Sequence, residues 1–373
     1  MVPGWTEKQN TCAFFVYLPK TNRNKPFADF GVFAGTTKTL FNMKRIFISL
    51  IAAIAFGVGA MAEQDNRVAT CQHGSTIRAY YGADAFKSAH ADAADGDVIT
   101  LTAGTFNGCD VNKAVTIRGE GWEKTTIKSM GSFNIPKDSE HALYLEGIKS
   151  EGSNNSFYGN DGSEKVVISK CYINNSSSIT FSKCTATIMQ SILRAWGSTT
   201  YSLYAGQLAT VTCLNSQLLE RLSTAYSASY SSNVNGHWYI SNCAIWEKVN
   251  DVHCSTIKNS TFRVACSLEE ETNTSSHCLV PEGSSGFFNS YYVKPEADPW
   301  DENDLAWNNI FGEWWKITND NAKATYLGTD GTQVGVFGGT YPWNTTPDLP
   351  TVKWLDVTES YKNGKLNVQI NVE

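Results

Sequence analysis

Charged side chains are scarce in this chain, since Lys, Arg, Asp and Glu make up only 18% of its 373 residues. A helical intracellular protein is not favoured by that composition, because solvent-facing helix surfaces are usually built from these residues. The 42% hydrophobic and 12% aromatic content excludes a disordered chain. The composition is typical of a globular, β-rich extracellular protein.

The chain also lacks the patterns of common cofactor sites. Its ten Cys include no C-x-x-C pair, which leaves no support for a zinc ribbon or a thioredoxin-like centre. It has no phosphate-binding Gly loop, HExxH helix or EF-hand loop. Calcium needs several carboxylates within neighbouring turns of chain, and the central region has few. We therefore predict no cofactor and no metal; calcium is the one alternative, and the carboxylate count does not support it.

Hydrophobic runs long enough to span a membrane comfortably are absent too. Residues 43–45 are a short basic segment, 46–58 are apolar, and 60–62 read Ala-Met-Ala. This order is that of a signal peptide, and the apolar run is too short to span a membrane comfortably. We predict a signal peptide at 43–62, an upstream mis-start at 1–42, and a secreted, periplasmic or cell-surface protein without a transmembrane segment after cleavage.

Basic residues are in the minority after the predicted cleavage site. Residues 63–373 contain 23 Lys and Arg against 34 Asp and Glu, and nine Cys. A net charge of this sign disfavours a nucleic-acid partner. The odd number of Cys leaves at least one free thiol and does not define any pairing.

What the chain does have is a short phrase that returns. An apolar residue is followed by two spacers, a Ser or Cys, one spacer and another apolar residue, starting at Ile168, Ile188, Cys213, Ile240 and Ile257. A loose period of 17 to 27 residues with one β-type phrase per unit predicts stacked coils. The Ser/Cys position is expected to be a packing position, and the Asn before it is expected to hydrogen-bond from coil to coil at three places: Asn215, Asn242 and Asn259.

Two segments carry a resemblance to a known superfamily. The stretch 88–127, "SAHADAADGDVITLTAGTFNGCDVNKAVTIRGEGWEKTTI", resembles the opening of secreted bacterial right-handed parallel β-helix proteins of the pectate-lyase-like superfamily. The phrase at 330–343 resembles their closing segment. No particular catalytic family of the superfamily is matched. The resemblance implies an all-β, single-stranded right-handed parallel β-helix with a short N-terminal capping helix and a C-terminal extension.

The resulting organisation has one solenoid domain at 63–343 and a strand-rich tail at 344–373. A helix is expected over 84–94, and the coils are expected to end near residue 292. The acidic, Trp-containing stretch that follows is expected to cover the last coils. A β-sandwich lectin is the alternative architecture, disfavoured by the coil-length period. We expect a monomer.

The candidate site lies on the central coils. Between 165 and 266 there are eight basic residues and three acidic ones. If the coils stack in register, several cations and aromatic side chains share one flank, an arrangement suited to sugar rings that carry carboxylate or sulfate. The alternative is a solvated flank without a ligand. The candidate glycan-binding residues are Arg194, Trp196, Arg221, Trp246, Lys248, Arg263, His237 and Trp238.

Two functions follow from this surface. The first is binding of an extracellular acidic polysaccharide without catalysis. The second is a polysaccharide lyase that cleaves a uronate-containing glycan by β-elimination, with Arg or Lys as the base. The few carboxylates favour the first and disfavour a polygalacturonase-like hydrolase, which needs a carboxylate cluster. His237 and His253, which lie on either side of Asp251, are a further candidate base or metal pair.

Overall fold

The computed structural model describes residues 13–17, 65–196, 202–226, 235–249, 251–294, 296, 305–347, 352–357 and 365–372. For 13–17, 309, 314, 352–357 and 365–372 it describes the backbone alone. The predicted signal peptide at 43–62 lies outside the described residues. So does the predicted mis-start at 1–42, apart from the strand Ala13–Tyr17.

The chain between residues 68 and 293 forms three sheets, and successive coils contribute neighbouring strands to each sheet. We call them the long, second and short sheets. The 11 strands of the long sheet are Val68–His73, Thr76–Tyr81, Val98–Leu101, Thr116–Arg118, Leu143–Glu146, Lys165–Ser169, Thr185–Met189, Thr210–Leu214, His237–Ser241, Thr256–Lys258 and Thr274–Ser276.

The other two sheets line the remaining sides of the stack. The ten strands of the second sheet are Gly104–Asn107, Thr125–Met130, Lys149–Gly152, Tyr172–Asn175, Ile192–Ala195, Gln217–Leu218, Ala244–Ile245, Thr261–Phe262, Leu279–Pro281 and Tyr291–Val293. The five strands of the short sheet are Phe133–Asn134, Phe157–Tyr158, Ile179–Ser182, Ser202–Ala205 and Arg221–Thr224.

The fold is therefore an all-β parallel β-helix of the right-handed type, as predicted. The first apolar residue of every recurring phrase occupies one column of the long sheet. Ile168 pairs with Ile188, which pairs with Cys213, followed by Ile240 and Ile257. All five side chains are at most 1% exposed. Burial of β-branched and aliphatic side chains in such columns is the main stabilising contribution to a parallel stack.

A helix follows the first hairpin. It runs over Ala85–Asp92, inside the predicted 84–94, and packs against the first strands of the stack. Its Ala85, Phe86 and Ala89 are buried. Ala89 follows Ala85 by four residues and Phe86 by three, so the three side chains lie on a single face of the helix.

The turn between the long and second sheets explains the Asn positions of the recurring phrase. The residue before each Ser or Cys has a positive φ of 46° to 54° at Asn215, Asn242 and Asn259. Asn tolerates this left-handed conformation better than most residues. Among the described residues, the coil-to-coil hydrogen bonds that were expected for these Asn side chains are not observed. Asn215 donates to the carbonyls of Val336 and Gly338, and Asn259 bonds to Thr329. Asn215 and Asn259 thus hold the C-terminal segment to the coils, whereas Asn242 accepts from the hydroxyl of the neighbouring Ser241.

The Ser/Cys position forms the coil-to-coil ladder instead. The Ser191 hydroxyl accepts from the Cys171 backbone N–H at 3.0 Å, and the Ser216 hydroxyl accepts from the Ser191 N–H at 3.2 Å. Each hydroxyl also donates to a carbonyl of its own coil, at 2.7 Å for Ser191 and 2.8 Å for Ser216. Ser260 repeats the arrangement beneath Cys243. A small side chain that both accepts and donates fits this enclosed position.

Ser216→Ala is expected to lower the free energy of unfolding by about 1–3 kcal/mol, because it leaves the buried N–H of Ser191 without an acceptor. Urea unfolding measures this. Ser216→Cys is the matched control, since Cys occupies the equivalent position at Cys171, Cys243 and Cys278. We expect Cys to cost less than Ala; an equal or greater cost would contradict the role given to the ladder.

A second cluster of apolar side chains joins the C-terminal segment to the coils. The helices Trp307–Ile310 and Asp320–Thr325 and the 3₁₀ helix Glu313–Trp315 follow the last strand, which ends at Val293 near the predicted residue 292. Ile310, Ile317 and Tyr326 pack with Leu279 and Val293. The C-terminal segment therefore covers the outer face of the last strands of the second sheet. This cover limits the surface that is open to a ligand at these strands.

The predicted strands of the tail are present as Val352–Val357 and Lys365–Val372. They pair antiparallel with each other, and Lys365–Val372 pairs with Ala13–Tyr17. The three form a sheet of their own, separate from the sheets of the solenoid.

Candidate functional site

Register brings three of the predicted site residues to one edge of the second sheet. Leu193, Leu218, Ile245 and Phe262 pair in sequence across four neighbouring strands. The residues that follow them directly are Arg194, Leu219, Trp246 and Arg263, so these four form the next row outside the core. Neighbouring strands lie about 4.8 Å apart, which places Arg194 and Arg263 roughly 14 Å from each other along the stack.

Four of the predicted residues present exposed side chains around this edge. Arg194, Lys248 and Arg263 are exposed, and Trp196 is 51% exposed. We call these four residues the basic flank. Among the described residues, Arg194 donates one weak hydrogen bond, at 3.5 Å, to the Tyr172 hydroxyl. The guanidinium of Arg263 lies 5.0 Å above the ring of Trp246, a cation–π geometry that holds the Arg head group outward.

Trp246 supports the flank and does not offer a free ring face. One of its contacts is Arg263, and its ring centroid lies 5.2 Å from that of Trp315 in the C-terminal cover, with the two ring planes at 63°. Trp315 in turn contacts Trp307 and Phe311. The ring is thus part of an aromatic cluster that fixes the cover beside the flank.

The prediction that Trp238 binds glycan is wrong. It is fully buried, donates from its indole nitrogen to the Ser223 carbonyl at 3.0 Å, and meets Phe181 edge-on. Strand residues alternate between two faces, and Trp238 shares the inward face with Ile240 while Tyr239 points out. That alternation was readable in the sequence, because Ile240 begins one of the recurring phrases.

Arg221 and His237 have other partners. Arg221 opens a strand of the short sheet and pairs with Asp251 at 3.3 Å. His237 Nδ1 lies 2.8 Å from the Cys254 carbonyl oxygen. His253 Nδ1 lies 2.6 Å from a Glu269 carboxylate oxygen, beneath the ring of Tyr226. The two imidazoles are thus held by different groups, and the structure gives no geometry for a shared metal.

Sequence reasoning did not identify two carboxylates beside the basic flank as site residues. Glu220 and Glu247 each follow the row of Leu219 and Trp246 by one position. Burial raises the pKa of Glu220 to about 7, the neighbouring charge of Glu247 adds to the rise, and Arg194 opposes it. Their position seven residues after the start of a recurring phrase was the available signal.

Glu220→Gln is expected to stabilise the protein at pH 8 by about 1–2 kcal/mol, after allowance for solvent screening of a half-buried group. The sign follows from the raised pKa: the folded state holds the proton more tightly, so Glu220 begins to destabilise the fold above its usual value of 4.5 and does so fully above about 7. Thermal unfolding at pH 4 and pH 8 measures the difference. Glu247→Gln, at an exposed position, is the control and should show a smaller change; a gain for Glu220→Gln that is equal at both pH values would contradict the interpretation.

The buried cysteines do not contribute a reactive group. The nine Cys in the described ranges are free, and seven of them are buried. Burial raises the pKa of Cys171, Cys184 and Cys243 to about 12, which keeps these thiols protonated. Within the part of the chain that the structure describes, no three His, Cys, Asp or Glu side chains lie close enough to hold a metal ion.

Comparisons with known proteins do not extend this picture. The chain matches no protein-family model and no curated protein. Of the helices that the structure describes, none combines the length and the apolar character needed to cross a bilayer.

Proposed function

We propose that this protein binds an acidic polysaccharide through the basic flank, outside the cytoplasm. The observation that carries the proposal is the grouping of exposed Arg194, Lys248 and Arg263 with a half-exposed Trp196 on one edge of a rigid stack. Among the described residues, Lys248 makes no ion pair that would compete with a ligand.

The spacing of the cations suits a chain-like ligand. Arg194 and Arg263 are separated by about three strand spacings along the stack, so a polysaccharide lying along the stack would meet them in turn. Guanidinium groups bind carboxylate and sulfate in a bidentate manner. A rigid scaffold also reduces the entropic cost of ordering the contact residues.

Trp196 supplies the apolar contact that charge alone cannot. A sugar ring has apolar C–H faces, and a Trp ring that is half exposed beside cations is suited to pack against them. Trp246 contributes indirectly, by holding Arg263 in place. The signal-like sequence at 43–62 supports this proposal, because extracellular polysaccharides occur where exported proteins are found.

Isothermal titration calorimetry against a glycan panel tests the proposal. Polygalacturonate, alginate and a sulfated polysaccharide are expected to bind and dextran is not, with affinity falling as salt rises. Equal binding of dextran, or no binding of any polyanion, would contradict it.

A second candidate is β-elimination on the same glycans. The observation that favours it is the exposed ammonium group of Lys248, which has no ion-pair partner among the described residues and is close in sequence to Trp246 and Glu247. A base must reach the proton beside the uronate carboxylate. The ultraviolet absorbance of unsaturated uronate, followed during the same titrations, distinguishes a lyase from a binding protein. Its appearance with wild-type protein and its loss in Lys248→Gln would establish the lyase; its absence leaves binding alone.

A further inference from the structure

A groove of about 320 Å³ opens at the C-terminal end of the solenoid. It lies between the last strand of the long sheet, Thr274–Ser276, and the last strand of the second sheet, Tyr291–Val293. Its floor is Phe287, which is 5% exposed and packs edge-on against Phe262. The groove is therefore anchored directly on the core.

Two aromatic rings stand at the mouth of the groove. Phe288 is 71% exposed and Tyr292 is 47% exposed. Phe288 makes no ring contact with any described residue, whereas Tyr292 is fixed by its hydroxyl, which donates to the Phe287 carbonyl at 3.0 Å. Large apolar side chains so exposed beside a concavity mark a binding surface more often than a lone surface residue does.

Acidic residues predominate in the segment that forms the groove. From 264 to 293 the chain has four Glu and no Lys or Arg, and the first cation after it is Lys294. Glu270 lines the groove itself and has no ion-pair partner among the described residues. Arg263, the nearest cation before this segment, is turned to Trp246. The groove therefore disfavours the acidic glycan proposed for the flank.

Aromatic faces next to an unpaired carboxylate are the chemical surroundings that bind organic cations. We propose that this groove is a binding site for an organic ammonium group, such as the protonated nitrogen of an amino sugar or the quaternary nitrogen of a choline compound. Phe288 and Tyr292 provide the π faces and Glu270 the opposing charge. This site is independent of the basic flank, and it stands if the flank binds nothing.

Saturation-transfer NMR and calorimetry on the full chain test the site with three probes at pH 6: a glucosamine trimer, choline, and the N-acetylated glucosamine trimer, which is uncharged. The expected result is binding of one or both ammonium probes and at least about tenfold weaker binding of the acetylated trimer. Binding of the glucosamine trimer alone would identify an amino sugar as the source, and binding of choline alone a choline compound.

Variants place the binding in the groove. Phe288→Ala and Glu270→Gln are each expected to weaken it about 3- to 20-fold. Both side chains are exposed, so the fold should be retained, and circular dichroism checks this. Tyr81→Ala is the control, because Tyr81 is a 60% exposed aromatic residue at the opposite end of the long sheet. The proposal is overturned if neither ammonium probe binds, if the acetylated trimer binds equally well, or if both groove variants bind like wild type.

Discussion

Phe157→Ala is expected to lower the free energy of unfolding by about 3–5 kcal/mol, the largest single-residue effect that this fold predicts. Phe157 lies in the middle of a column of rings along the short sheet. Its centroid is 4.5 Å from that of Phe133 and 5.0 Å from that of Phe181, with interplanar angles of 8° and 4°. The ring is completely buried. Truncation removes both stacking contacts and leaves a cavity that the rigid parallel strands cannot close.

Equilibrium unfolding in guanidinium chloride measures this effect, provided that the transition is two-state. Phe288→Ala is the matched control, since it removes the same atoms from a ring that is 71% exposed, and it should change stability by less than about 0.5 kcal/mol. Similar losses for the two variants would mean that the ring column does not stabilise the stack as described.

Combined replacement of Arg194, Lys248 and Arg263 by Gln is expected to weaken polygalacturonate binding by about 10- to 100-fold. Each exposed cation that contacts a carboxylate contributes on the order of 0.5–1 kcal/mol, and three such contacts correspond to that range. The fold should be unaffected, because all three side chains are outside the core.

The matched control for this variant is Lys124, Lys128 and Lys137 replaced by Gln. These three residues are also exposed, lie on earlier coils and change the net charge equally. Calorimetry on both triple variants distinguishes a local site from a general attraction of opposite charges. If both lose affinity to the same extent, binding is non-specific and the basic flank is not the site.

The column positions of the fold were predictable from the sequence because they obey a strict local rule. A strand alternates its faces every two residues, and parallel strands in register repeat that alternation in every coil. The apolar start of each phrase therefore had to face inward, and the Ser or Cys three residues later had to occupy an enclosed turn. The same rule gives Trp238 an inward position, so its place among the glycan-binding candidates was an avoidable error.

Other features could not be predicted, because they depend on contacts between distant segments. Asn215 and Asn259 hydrogen-bond to residues 70 to 123 positions away in the sequence, and no local pattern indicates such partners. The same holds for Trp246, whose ring is covered by Trp315. The pKa of Glu220 depends on burial and on a neighbouring coil, so a count of carboxylates along the chain could not identify it.

Hydrogen–deuterium exchange of the full chain with and without polygalacturonate tests most directly whether the basic flank is the binding surface. Slower exchange is expected in peptides that contain 192–196, 244–248 and 261–263, with little change in peptides from 270 to 292. Slower exchange confined to another face of the solenoid, or saturated binding without any change in these three peptides, would contradict it.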